Sequence, residues 1–195
     1  MENYMKNFYI ILILFFSFTI YSCAKKSDSS STTATNTEIE GTWQTSCYSS
    51  GSIYLLQKLT VTGTNFTHKN EYHSDSSCAT DYVMWVNSWG SLSIGEERSG
   101  GSGHQFTLTL SDITFTSQTS DDVTWNNNNS WCGLTGWEIN TPVSVPGKTC
   151  GSETQYFTGK VVYGDYLLDG NNLYWAFDPD NYPTVNSNYR TFTKQ

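Results

Sequence analysis

Four cysteines, Cys47, Cys78, Cys132 and Cys150, carry the most constrained chemistry in this sequence, and bridging, metal binding and nucleophilic attack are the three uses open to them. Zinc ligands usually come in pairs two to four residues apart, and no two of these cysteines do. A nucleophilic thiolate needs a base beside it. His68, His73 and His104 are present, but no spacing positions them for that role. His68 and His73 stand five apart, so a regular strand puts them on opposite faces and they cannot share a metal without a bulge. An even cysteine count in an exported chain favours disulfides, and export is argued below from the N-terminus. Three pairings are possible. Cys132 and Cys150 bracket CGLTGWEINTPVSVPGKTC, a segment with few apolar residues to hold it, so a bridge there has a purpose. Cys47 would then pair with Cys78. Each bridge is worth about 2–4 kcal/mol.

The remaining candidates are weaker chemically. Acidic turns occur at Asp121-Asp122, Asp165…Asp169 and Asp178-x-Asp180-Asn181, but none has the EF-hand spacing, and Asp and Asn are ordinary turn residues. No Gly-x-Ser-x-Gly, His-Glu-x-x-His or phosphate-cradling glycine loop occurs. The sequence therefore predicts no enzyme, no metal and no cofactor. Seven Trp and 13 Tyr are a large aromatic content. Trp43, Trp85, Tyr156, Trp175 and Phe177 read as core and belt residues of a β domain. Trp125, Trp131 and Trp137 lie instead among Asn residues in the irregular segment, where a loop on a rigid scaffold could bind a partner.

The elements that must position these residues read as all β from Ile39 to Gln195. No window keeps a helical apolar period, and Thr, Tyr, Trp and Val are abundant. Phe106, Leu108 and Leu110 alternate with Thr107, Thr109 and Ser111, and Ile113 and Phe115 resume the pattern after a break at Asp112, which predicts a bulge. Gly63-Thr64-Asn65 predicts a hairpin and Asp169–Asn172 a tight turn. Further strands are expected at Tyr82–Val86, Tyr156–Tyr163, Leu173–Phe177 and Tyr189–Thr193. About eight short strands joined by turns imply a single antiparallel barrel or sandwich. Residues 116–152 are an irregular insertion with a helical turn near Asp121–Asn127, and Ser99–Gly103 reads as a loop. The bulk of Leu55, Leu59, Phe106, Leu108, Leu110 and Trp175 predicts a filled interior.

Phe8–Ile20 is a nearly unbroken apolar run of 13 residues. As a helix it rises about 20 Å, short of a hydrocarbon core about 30 Å thick, and it suits a signal peptide spanning residues 1–22. Met5 is an alternative start, because Lys6 is then the basic residue ahead of the apolar run. Ile20-Tyr21-Ser22-Cys23 resembles the bacterial lipobox, Tyr21 being its one unusual position. The resemblance implies cleavage before Cys23 and a lipid on its sulfur. Residues 24–38 lack large apolar side chains up to Glu38 and predict a flexible tether with a reach near 20 Å. Ala24 and Lys25 lack the aspartate that retains some lipoproteins at the inner membrane, so the expected place is the cell envelope, outer membrane rather than inner. Removing residues 1–22 takes one Lys and one Glu, which leaves the net charge at −8 and argues against nucleic-acid binding.

Gly41-Thr42-Trp43 on the first strand, with Arg190 on the last, resembles the lipocalin-like pattern. The resemblance implies an eight-stranded barrel whose end Trp43 plugs and across which Arg190 packs. A broader likeness is to small uncharacterised bacterial lipoproteins. It rests on Gly41–Cys47, Tyr72–Cys78, Cys132–Cys150 with Trp137, and Pro183-Thr184 through Lys194. It implies no activity. The expectation is a monomeric, non-catalytic lipoprotein, tied to the membrane by its lipid, that binds a small apolar ligand or else an envelope protein or glycan through 125–137.

Overall fold

The computed structural model describes residues 37–79, 84–98, 103–183 and 189–195. The signal peptide, Cys23, the tether up to Asn36, Tyr82-Val83, Ser99–Ser102 and Thr184 lie outside the described residues. The chain forms β1 (Gly41–Gln44), β2 (Tyr48–Ser50), β3 (Ile53–Thr62), β4 (Asn65–His73), β5 (Met84–Glu97) and β6 (Gly103–Ser117). A helix α1 (Ser120–Asn128) and a 3-10 turn (Trp131–Gly133) follow. Then come β7 (Val143–Ser144), β8 (Thr149–Cys150), β9 (Glu153–Thr154), β10 (Val161–Asp169), β11 (Asn172–Asp178) and β12 (Arg190–Lys194).

Every long strand pairs antiparallel with its neighbour in sequence, in the order β1-β12-β11-β10-β6-β5-β4-β3, and β1 also pairs β3. That last pairing closes a ring of eight strands. β7 adds to β6, and β8–β9 form a separate two-stranded piece, so 118–160 is an insertion between two ring strands. Side chains alternate inward and outward along each strand. One end of the ring is filled by Trp43, Leu59, Val61, Phe66, Phe106, Tyr166, Leu173 and Phe192, all buried. Here the Trp175 indole lies between Phe66 and Phe106, with ring centroids 5.5 and 4.0 Å away.

The bulge forms where the alternation broke. Trp89 pairs Asp112 but Gly90 pairs Leu110, so Ser111 is the extra residue on β6. One inserted residue switches the parity, and Ile113 and Phe115 thereby stay on the inner face with Phe106 and Leu108. The predicted strand Tyr156–Tyr163 is displaced: β10 begins at Val161, and Tyr156–Lys160 is a loop turning at Gly159 (φ 84°). The strand instead runs on to Asp169 through Gly164 and Asp165, two weak strand formers that hid it from the periodicity.

The expected packing of Arg190 across Trp43 is not found. Lys194 lies over the Trp43 ring, 5.1 Å from its centroid, and Arg190 lies over Tyr48 at 4.2 Å. Register is the reason. Trp43 pairs directly with Lys194, whereas Arg190 pairs with Trp175. Four residues of strand span about 13 Å, which carries Arg190 away from the filled end toward the opposite mouth.

Candidate functional site

Among the described residues the interior is not filled throughout. Above the Trp175 indole the ring opens into a cup of about 940 Å³. Its lining includes the inward residues of β3 and β4 on one side and of β5 and β6 on the other. A smaller apolar recess of about 60 Å³ continues beneath it between Phe66, Phe106, Leu108 and Val162. The expected filled barrel is therefore corrected for this part of the ring. The bulky residues named from sequence cluster at one end, and the inward positions toward the mouth are Gln57, His68, Asn70 and Ser88.

The two walls differ in chemistry. Gln57, His68, Asn70 and Tyr72 face in from β3 and β4, whereas Met84, Val86, Ile113, Phe115 and Trp131 form an apolar side. On the polar wall the Gln57 amide nitrogen donates to Asn70 Oδ1 at 2.6 Å and reaches His68 Nε2 at 3.3 Å. An amide NH₂ has two protons to give and no lone pair to receive, so this network assigns His68 a neutral ring with a bare Nε2. Burial pushes the His68 pKa down from 6.5 to about 4. As sequence parity required, His68 faces the cup and His73, five residues on, is buried on the other face of β4.

That depression has a consequence for stability. The folded His68 pKa lies below the unfolded one, so between about pH 4 and 6.5 the unfolded chain binds the extra proton. Stability from this group is complete above pH 6.5 and is lost as pH falls toward 4. The cup is open to water, so the loss is set at roughly 1–3 kcal/mol. Urea unfolding of wild type and His68→Gln at neutral and at acid pH checks it. The variant should lose less stability on acidification, and equal slopes would refute the assignment.

The insertion forms the rim. Thr119 caps α1, its hydroxyl accepting from the Asp122 amide at 3.1 Å. Asn126 is buried and donates to Ser117 Oγ at 2.9 Å. The Asn127 carboxamide accepts from the Gly136 and Trp137 amides at 2.7 and 2.9 Å and donates to the Trp137 carbonyl at 3.0 Å. These asparagines hold the insertion together; in the sequence they read as surface decoration. Disulfides join Cys132 to Cys150 and Cys47 to Cys78, with Cα separations of 4.2 and 5.7 Å. Cys150 itself lines the cup, so one bridge fastens the rim beside the mouth.

The three loop tryptophans have three different situations. Trp137 is buried at 2% exposure, which withdraws it as a contact residue. Trp131 stacks on Phe115 at 4.9 Å and lines the cup. Trp125 is 54% exposed and meets Trp131 edge-on at 6.4 Å. Sequence reasoning missed Gln57, Asn70, Tyr72 and the cup-facing role of His68. For His68, Asn70 and Tyr72 the only signal was polar residues at every inward position of β4 after Phe66, which one strand alone cannot assign to inside or outside.

Among the described residues no three His, Cys, Asp or Glu side chains are grouped to hold a metal ion. A scan against protein-family models finds no match, and a search of curated proteins finds no similar sequence.

Proposed function

We propose that this chain is a membrane-anchored bacterial lipoprotein, acylated at Cys23 after removal of residues 1–22, whose β domain binds a small, largely apolar molecule without transforming it. One observation carries the binding role: a cup of about 940 Å³, floored by an indole and walled on one side by apolar side chains. Pockets for small ligands span roughly 300–1,000 Å³ and have this mixture of apolar lining and a few polar groups. Binding rather than catalysis is favoured because Gln57 already engages both His68 Nε2 and Asn70 Oδ1. The anchor rests on the lipobox-like Ile20-Tyr21-Ser22-Cys23 and the apolar run before it.

Two measurements test this. Intact mass of the protein from bacterial membranes should show a chain beginning at an acylated Cys23. An unmodified cysteine there removes the anchor. Bromoundecanol, a chain that quenches indole on contact, should saturably quench Trp emission, while maltose should not. Quenching should fall in Trp175→Phe, and unsaturable quenching that the variant leaves unchanged would remove the cup as a site. The half-exposed Trp125 favours a second reading, a protein or glycan partner docking on the rim. In that case Trp125→Ala, rather than a change at Trp175, would abolish binding.

A further inference from the structure

We propose that the cup selects an amphipathic monocarboxylate, its carboxylate held by Arg190 and its apolar chain laid over Trp175. The inference rests on the binding role argued above and adds the chemical class of the ligand. Arg190, Phe192 and Lys194 alternate onto the inner face of β12, with Phe192 buried in the core and Lys194 at the filled end. Arg190 is the member of this row that faces the cup, and it is exposed there. It is the cross-strand partner of Trp175, so cation and floor indole project side by side from adjacent strands.

Among the described residues the guanidinium has an aromatic support but no counter-ion. Its Cζ lies over the Tyr48 ring, 4.2 Å from the centroid, and no Asp or Glu among the described residues forms an ion pair with it. Arg98 by contrast is spent on buried Asp165 at 2.6 Å, and Lys58 and Lys69 share Glu71 at 3.0 and 2.8 Å. The other ionisable side chains that line the cup are Glu153, which is exposed at the rim, the phenols Tyr72 and Tyr156, and His68. His68 stays neutral through the physiological range, so Arg190 is the one cation that lines the cup among the described residues. A guanidinium held by a ring face keeps its N–H edge available, and that edge matches a carboxylate in two parallel hydrogen bonds. Below it, Trp175, Phe115 and the recess between Phe106 and Leu108 accept an apolar chain. A cation at the mouth and an apolar floor together describe a fatty or arylalkyl acid better than a sugar, which would leave the floor under-covered, or a neutral hydrocarbon, which would leave Arg190 covered and unpaired.

The test uses the full chain in phosphatidylcholine vesicles, with protein-free vesicles subtracted, titrated calorimetrically with decanoate and with decanol. Arg190→Gln should weaken decanoate about tenfold to a hundredfold and leave decanol within about twofold, the size of one charge-assisted bidentate contact. Arg190→Lys should fall between, since it keeps the charge and loses the fork. Equal weakening of both ligands by Arg190→Gln, or no weakening of either, overturns the carboxylate assignment and leaves the cup standing. Failure of wild type to bind either chain overturns the cup and this inference together.

Discussion

Gly164→Val is expected to abolish the cooperative unfolding transition, and Gly164→Ala to lower stability by about 3 kcal/mol or more. Gly164 faces inward on β10, directly opposite Phe106 on β6 and Phe177 on β11. The Phe106 ring lies across it to reach the Trp175 indole. A Cβ at 164 would sit 2.6 Å from the Ala176 carbonyl oxygen and would overlap the Phe106 ring. Backbone on one side cannot retreat without breaking the β10–β11 ladder. On the other side Phe106 cannot retreat without leaving its stack on Trp175 at 4.0 Å. The damage is therefore steric and not conformational. Shrinking the ring should relieve it: Phe106→Leu in the Gly164→Ala background should recover about 1–2 kcal/mol, although Phe106→Leu alone destabilises. Near-UV circular dichroism and thermal melts read both effects. A Gly164→Val protein melting beside wild type would show that the ring and backbone do not approach this closely.

Trp43→Ala should cost about 3–5 kcal/mol, the range for deleting a large buried aromatic side chain. Its side chain is 1% exposed at the filled end, and its indole N–H donates to the Ile39 carbonyl at 2.8 Å, tying the entering chain to the ring. The cation over it is Lys194. Hence a double-mutant cycle of Trp43→Phe with Lys194→Gln should show coupling of about 0.5–1 kcal/mol, and the cycle with Arg190→Gln should show none within error. The opposite pattern would restore the arrangement that the lipocalin-like resemblance implied and would take Arg190 out of the cup. The two cycles thus bear on the ligand class as well as on stability.

The resemblance failed at Arg190 for an instructive reason. It correctly singled out the last strand as the source of a cation, because Arg190, Phe192 and Lys194 share one parity. It chose the wrong cation because a sequence motif carries no register, and a shift of four positions along β12 separates the two ends of the ring. The Phe106–Phe115 stretch shows the reverse. There the break at Asp112 was legible, since a single inserted residue must reverse the alternation and the apolar residues themselves record the reversal. The helical turn expected near Asp121–Asn127 is found as α1, which the structure shows capped by Thr119 with Asp121 and Asp122 in its first turn. Strand β10 was misplaced because Gly164, the residue that lets Phe106 cross it, removes the apolar side chain that would have marked the inward position.

The candidate site was less legible than the fold. Gln57, His68 and Asn70 are polar, and polar residues on a strand ordinarily point to water. Here they line the cup inside the ring, partly buried. Whether an inward position is filled depends on side chains from strands far apart in sequence. Trp175 is covered by Phe66 from more than a hundred residues away, whereas Gln57 lines the cup.

The sequence by itself determined what is local: antiparallel strands, the break in alternation at Asp112, the turn at Asp169–Asn172 and the alternation along each strand, because side-chain alternation and turn chemistry act over a few residues, and it also anticipated the two cysteine pairings. Only the tertiary structure decided what depends on closure and register. It set which cation meets Trp43, buried Trp137 while leaving Trp125 exposed, and left a cup within the ring. Those outcomes are fixed by distances between strands that no spacing along the chain records.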